Sequence, residues 1–208
     1  MAKTNTTTSV PKTCCEETSG QGGQSFGAAM PDISLPQVGS GDPARLHEAL
    51  QGMRGAAVLF WSGKCSHCTR YDAYLNGFAA RHPEIALWVV ACRQDEDAEA
   101  LERCVQERGL GFPLVHDADR ATARRWEVRQ TPRVFLLDDG ARLVYRGAVD
   151  NYTYPEDPDH KPYLEAEITA LLEGSPSPHR ETASYGCPIE SVYYDLRKPL
   201  AIGRKPRS

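Results

Sequence analysis

The stretch that decides the fold of this chain reads Ala56-Ala57-Val58-Leu59-Phe60-Trp61-Ser62-Gly63-Lys64-Cys65-Ser66-His67-Cys68. Its apolar first half predicts a short interior strand. The following residues, 69–82, carry aromatic and apolar side chains at helical spacing and predict an amphipathic helix. Two thiols three residues apart, where a buried strand turns into a helix, are placed to make and break a disulfide with each other.

The chemistry expected of the two thiols differs. Cys65 would lie at a helix N-terminus, where unpaired N–H groups and the helix dipole stabilise a thiolate and lower the pKa below the free value of about 8.5. Lys64 adds a positive charge, and His67 can place an imidazole beside the thiolate. Cys68, one turn on, would be shielded and would act as the resolving thiol. A zinc site needs a second ligand pair, so the strand-to-helix context favours a redox pair.

The rest of the chain predicts an α/β fold. Helical patterns cover residues 44–53, 95–108, 119–126 and 163–172, and strand patterns cover residues 85–92, 112–115, 133–137 and 142–146. The last two strands form a hairpin around Asp139-Gly140. Strands that alternate with helices, followed by a hairpin and a helix, predict a central mixed β-sheet with helices on both faces.

Four segments carry a resemblance to a known family. They are Pro31-Asp32-Ile33-Ser34-Leu35-Pro36, Phe60-Trp61 before the cysteines, Thr131-Pro132, and Asp138-Asp139-Gly140 followed by Val144-Tyr145-Arg146-Gly147. In this order and at these distances they resemble the thioredoxin superfamily, within it the redoxins of the TlpA and AhpC/TSA type, over about residues 31–174. The resemblance implies a thioredoxin-like fold.

The resemblance also assigns roles to single residues. It implies that Pro132 is a cis-proline against the active-site disulfide, and that the Thr131 backbone is free to pair with a bound substrate strand. Trp61 and Ser66 would support the active site, together with Lys64 and His67.

The active-site sequence departs from thioredoxin at three places. Leu59 stands where many thioredoxins carry a buried acid, Lys64 stands where they carry Trp, and Ser66-His67 replaces Gly-Pro. A histidine before the second cysteine also occurs in oxidising enzymes of the DsbA type. These departures indicate a couple less reducing than that of thioredoxin, but the direction of electron flow and the potential stay open.

Composition shifts divide the chain into three parts. Residues 1–29 are rich in Thr, Ser, Gly and Gln and predict a flexible arm. Residues 30–174 form the expected thioredoxin-like domain. Residues 175–208 form a C-terminal tail that carries Gly186-Cys187-Pro188-Ile189.

Beyond the active-site pair, five cysteines remain of the seven in the chain, an odd total that leaves at least one unpaired. Cys92 and Cys104 either form a bridge or are free and buried. Cys187 either accepts and relays the active-site disulfide or is buried by the tail. Cys14 and Cys15 are vicinal thiols, which can exchange disulfides with another chain, bind soft metals, or have no defined role.

Composition limits the classes of partner. The 208 residues, 40% hydrophobic and 25% charged, suit one globular domain with tails. A net charge of -4 without a basic stripe gives no reason to expect nucleic acid. No segment has the roughly 18 apolar residues of a membrane span. Residues 1–13 lack an apolar signal region, which predicts the cytoplasm, or an extracytoplasmic site if the chain is a processed form.

We expect a thiol-disulfide oxidoreductase that exchanges disulfides with protein substrates and a redox partner. It would need no metal or cofactor beyond the Cys65–Cys68 disulfide. One alternative is a thiol peroxidase, although the Pro-x-x-x-Thr-x-x-Cys motif of such relatives is missing before Cys65. The other is a copper-binding thioredoxin-fold module, which pairs Cys-x-x-x-Cys with a distant histidine such as His116 or His160; the spacing here is one residue shorter.

Overall fold

Short strands and helices alternate along residues 24–190, the part of the chain that the computed structural model describes. The strands are β1 (Ser34–Pro36), β2 (Pro43–Arg45), β3 (Gly55–Trp61), β4 (Ile85–Ala91), β5 (Leu114–His116), β6 (Gln130–Thr131), β7 (Arg133–Asp138), β8 (Leu143–Gly147) and β9 (Cys187–Pro188). The helices are α1 (Leu46–Ala49), α2 (Ser66–Thr69), α3 (Asp72–Asn76), α4 (Phe78–Arg81), α5 (Ala98–Arg108), α6 (Ala121–Arg125) and α7 (Tyr163–Glu173).

Strands β5-β4-β3-β7-β8, in that order, form the central sheet. β3, β4 and β5 are parallel, while β7 and β8 join the sheet as an antiparallel hairpin. The hairpin turns where predicted, because the Asp138 carboxylate accepts the N–H groups of Gly140 at 2.9 Å and Arg142 at 2.7 Å. The predicted mixed sheet is confirmed.

Both faces of β3 are buried, which explains its continuous apolar sequence. Ala57, Leu59 and Trp61 point into a cluster that also contains side chains from α3, α4, α5 and α7. Alternate residues, from Ala56 to Phe60, point into a second cluster with α1 and α6. Helices therefore cover both faces of the sheet, and the carboxyl end of β3 carries the cysteines to its edge.

Two predicted helices are wrong in their extent. The single helix expected over residues 69–82 is three short helices, α2, α3 and α4. The N–H of Tyr71 donates to the C=O of Cys68, three residues back, at 2.9 Å, and Gly77, a weak helix former, separates the last two segments. An apolar stripe survives such tightened turns, so its period does not reveal them.

The helix expected over residues 44–53 is limited to α1. Residues 43–45 instead form β2, which pairs with β1. Asp32 explains this exchange, because its carboxylate forms an ion pair with Arg45 at 2.6 Å and accepts the N–H of His47 at 3.1 Å. The helix therefore starts after Arg45, and Leu46 and Leu50 still point inward as predicted.

Segments on either side of the domain contact it. Within the predicted arm, the N–H of Gly27 donates to the C=O of Leu143 in β8 at 2.8 Å. Within the predicted tail, Glu181 accepts two hydrogen bonds from the Arg146 guanidinium, at 2.8 and 3.0 Å. The three-part division of the chain stays a prediction, but residues 24–29 and 175–190 pack on the domain between them.

Candidate active site

Cys65 and Cys68 lie where β3 passes into α2. Cys65 is the N-cap residue of this short helix, with an extended backbone, and Cys68 faces inward from its third residue. Both are free thiols in this structure. Both are also 0% exposed, so the nucleophile expected to meet a substrate is fully covered.

The electrostatics of the two thiols differ sharply. Hydrogen bonding from Cys68, followed by that from Cys187, lowers the pKa of Cys65 from its usual 9.0 to about 4, although burial acts in the opposite direction. Burial, reinforced by the hydrogen bond with Cys65, raises the pKa of Cys68 far above its usual value. At neutral pH the arrangement therefore holds one thiolate and one thiol.

The segment Thr131-Pro132 lies directly against Cys65. The peptide bond between these two residues is cis. When protonated, the Cys65 thiol donates to the Thr131 carbonyl oxygen at 3.2 Å. This contact brings together residues 66 positions apart in the sequence. It joins the end of β6 to the start of α2.

Strand β9 covers this site. It pairs antiparallel with β6, so that Cys187 lies opposite Thr131 and Pro188 lies opposite Gln130. Cys187 contributes both its thiol and its backbone N–H to hydrogen bonding with the sulfur of Cys65. Burial, followed by the hydrogen bond with Cys65, raises the pKa of Cys187 itself. The tail thiol is thus a third member of the thiol cluster.

Lys64 and His67 do not make the contacts anticipated for them. The Lys64 ammonium group forms an ion pair with Asp95 at 3.3 Å. The His67 ring stacks against the ring of Tyr152, with centroids 5.0 Å apart, while its backbone N–H donates to the Cys187 sulfur. Ser66 is exposed. The largest contributions to the low pKa of Cys65 come from the neighbouring thiols.

Two charged side chains support the loop before Cys65, and neither was singled out from the sequence. Glu96 is buried and accepts the N–H of Lys64 at 3.0 Å; burial raises the pKa of this carboxyl. Arg108 donates to the C=O of Gly63 at 2.9 Å, and its guanidinium lies 5.1 Å from the centre of the Trp61 ring.

Gly63 is required in this loop, because a Cβ there would lie 2.9 Å from the Glu96 carboxylate and 2.8 Å from the Cys104 sulfur. The only sequence signal for Glu96 is an acidic run, Asp95-Glu96-Asp97, which looks like a solvated helix start.

The remaining cysteines and histidines lie elsewhere. Cys92 and Cys104 are free thiols, without the bridge considered above. Cys14 and Cys15 lie outside the described residues. His116 ends β5, and His160 lies in the loop before α7, where it contacts Thr153. Across residues 24–190, no group of three or more His, Cys, Asp or Glu side chains is arranged to hold a metal ion.

In the same part of the chain, no helix combines the length and apolarity that a membrane crossing requires.

A Cys-x-x-Cys pair at the turn from a central strand to a helix, beside a cis-proline and on a mixed sheet, defines a protein of the thioredoxin superfamily. The chain belongs to the Redoxin family, whose model matches residues 26–164. This agrees with the resemblance drawn from the sequence motifs.

Known proteins support this placement. The thiol-disulfide oxidoreductase ResA of Bacillus thuringiensis (strain Al Hakam) is 27% identical over 97 residues, which are 46% of this chain and 56% of the relative. The alignment thus spans little more than half of that relative's length.

Two solved structures are similar over most of the chain. An uncharacterized conserved protein from Geobacillus kaustophilus matches 82% of this chain and 94% of its own, with a TM-score of 0.71 and 23% identity. A hypothetical protein from Sinorhizobium meliloti 1021 matches 79% and 93%, with a TM-score of 0.70 and 27% identity. The first supports the fold alone.

Proposed function

We propose that this protein is a thiol-disulfide oxidoreductase that exchanges disulfides with protein substrates through Cys65 and Cys68. The observation that carries the proposal is the pairing of a low-pKa thiol with a buried, high-pKa thiol beside the cis Thr131-Pro132 bond. The names of relatives such as ResA support the same chemistry. The assignment of these two residues to the reaction is our own.

The reaction has two exchange steps. The Cys65 thiolate attacks one sulfur of a substrate disulfide, forms a mixed disulfide, and releases the other substrate sulfur as a thiolate. Cys68 then loses its proton and attacks the Cys65 sulfur, which releases the second substrate thiolate. Two electrons pass from the dithiol to the substrate, the two protons go to the released thiolates, and a Cys65–Cys68 disulfide remains. The reverse sequence oxidises a substrate dithiol.

The low pKa of Cys65 bears on the redox potential. A thiolate that the folded protein stabilises makes the reduced form more stable relative to the disulfide, and it makes Cys65 a better leaving group. The couple should therefore be less reducing than that of thioredoxin. The direction matches the expectation from Ser66-His67, but the cause lies in hydrogen bonding from Cys68 and Cys187.

An aromatic surface beside the active site suits a protein substrate. Tyr152 and Tyr154 are 39% and 76% exposed, and the Arg70 guanidinium lies 4.2 Å from the centre of the Tyr152 ring. Arg70 and Tyr154 also line a cavity of about 210 Å³. Exposed aromatic rings and arginine are enriched where proteins recognise each other. We infer that this surface receives the chain around the substrate disulfide.

Insulin disulfide reduction tests the proposal. Cys65→Ser should abolish activity because it removes the attacking thiolate, and Cys68→Ser should accumulate mixed disulfides with the substrate. Cys104→Ser is the matched control, since it alters a free thiol on α5 and should retain activity. Full activity in Cys65→Ser would refute the assignment. Rapid peroxide consumption coupled to thiol oxidation would favour the peroxidase alternative.

A further inference from the structure

The nucleophile of the proposed reaction is sealed inside the protein. Cys65 is 0% exposed, and the backbone edge of Thr131 beside it is already paired with β9. A substrate segment can neither reach the sulfur nor pair with that edge until β9 leaves. The tail therefore occupies the place that the reaction requires for a substrate.

We propose that β9 is a tethered occupant of the substrate edge and that Cys187 is a third redox thiol, which forms a disulfide with Cys65. This proposal rests on the thiol-disulfide activity inferred above. It assigns to the tail a contact with the reacting sulfur, and it makes Cys65 the atom shared by two alternative disulfides, one with Cys68 and one with Cys187.

The local sequence of the tail fits this close approach. A Cβ at position 186 would lie 1.9 Å from the Thr131 carbonyl oxygen and 3.1 Å from the nitrogen of Pro132, so only glycine allows the strand to lie this near the cis-proline segment. The next residue, Cys187, is thereby placed against Cys65. The short element Gly-Cys thus combines a backbone that fits the groove with a thiol that meets the nucleophile.

Contacts on both sides of Cys187 fix the position of the strand. After it, Ile189 is buried in the hydrophobic cluster under α6, its N–H donates to the C=O of Arg129 at 3.0 Å, and its C=O accepts the N–H of Gln94 at 3.0 Å. Before it, the Glu181 carboxylate binds the Arg146 guanidinium. Specific contacts therefore hold the thiol at the active site.

The exchange requires no added oxidant once the active-site disulfide exists. The Cys187 thiolate attacks the Cys65 sulfur of the Cys65–Cys68 disulfide, a Cys65–Cys187 bond forms, and the bond to Cys68 breaks. Cys68 leaves as a thiolate and takes up the proton that Cys187 lost. The number of disulfides is unchanged, and Cys68 becomes a free thiol while the tail is locked over the site.

The direct test uses Cys68→Ser, which removes the competing disulfide. The reduced variant is treated with glutathione disulfide, quenched in acid, alkylated, and mapped by mass spectrometry. Glutathione disulfide supplies the oxidation, since the first attack by Cys65 leaves a glutathione adduct that Cys187 then displaces. Because Cys187 is held at the site, the Cys65–Cys187 linkage should exceed the Cys65–glutathione adduct by about tenfold or more. A Cys65–glutathione adduct with Cys187 alkylated would overturn the proposal.

A second variant tests the geometry. Gly186→Ala in the Cys68→Ser background should reduce the Cys65–Cys187 linkage several-fold, because the new Cβ clashes with Thr131. Gly111→Ala in the same background is the matched control, since its Cβ would approach only the Asn76 carboxamide oxygen, at 3.8 Å. An unchanged yield in Gly186→Ala would contradict the assigned fit.

The two proposals fail separately. A wild-type protein that reduces insulin and forms Cys65–Cys68, while its Cys68→Ser variant fails to link Cys65 to Cys187, overturns only the role of Cys187. A wild-type protein inactive on insulin that forms no Cys65–Cys68 disulfide overturns the proposed function.

Discussion

Replacing Cys68 by alanine should raise the pKa of Cys65. Hydrogen bonding from the Cys68 thiol is the largest contribution to the low pKa of Cys65, and alanine removes this donor while leaving Cys187 in place. A hydrogen bond to a charged group contributes about 1.5–3 kcal/mol. Since 1.36 kcal/mol corresponds to one pKa unit, the pKa should rise by about 1 to 2.

The pH dependence of iodoacetamide alkylation measures this change. The reduced protein is titrated, Cys65 is quantified by peptide mapping, and the midpoint of its alkylation rate gives the pKa. Cys68→Ser is the informative companion, because a hydroxyl can still donate to the thiolate. Its pKa should fall between those of the wild type and Cys68→Ala.

Cys104→Ser supplies the control for the loss of a thiol elsewhere in the domain. Cys104 contacts Arg108 and is not among the groups that shift the pKa of Cys65. Its replacement should leave the midpoint unchanged. An unchanged midpoint in Cys68→Ala, or an equal rise in Cys104→Ser, would refute the hydrogen-bond account of the low pKa.

Further predictions concern stability. The pKa of Cys65 is about 4 in the folded, reduced protein against a usual 9.0, so the thiolate stabilises that state fully above pH 9, and this stabilisation is lost as the pH falls through 4. The difference in unfolding free energy between the reduced wild type and Cys65→Ala should therefore shrink over that window; a constant difference would contradict it. Glu181→Gln should cost about 3 kcal/mol in urea denaturation, because Arg146 loses a partly buried carboxylate partner. Asp32→Asn, which weakens the more exposed pair with Arg45, should cost about 1 kcal/mol or less.

Local sequence patterns predicted the central fold well. The apolar run of β3 and the Asp139-Gly140 hairpin are recognisable because burial and turn formation depend on neighbouring residues. The division of the helix after Cys65 was missed, since its inward residues keep their spacing through the breaks at Tyr71 and Gly77. Periodicity reports which face is buried and is nearly blind to where the backbone tightens.

The active site was predictable only in part, for a similar reason. Cys65 and Cys68 are adjacent along the chain, so their spacing carries the signal. Glu96 approaches the same loop through tertiary packing, and Cys187 reaches Cys65 only because β9 pairs with β6. No local pattern encodes that pairing, and the tail sequence showed only that a thiol was available.

The position of Cys187 changes how the burial of Cys65 is understood. A buried thiolate without partners would be costly, and its pKa would rise. Here the tail excludes water and at the same time supplies a thiol and an N–H to the same sulfur, which compensates for part of the lost hydration. If β9 is displaced, an incoming substrate strand must replace both donors or admit water to do so. On the proposed function, the tail therefore competes with substrates on two counts, backbone pairing and thiolate stabilisation, and only segments that satisfy both should exchange rapidly with Cys65.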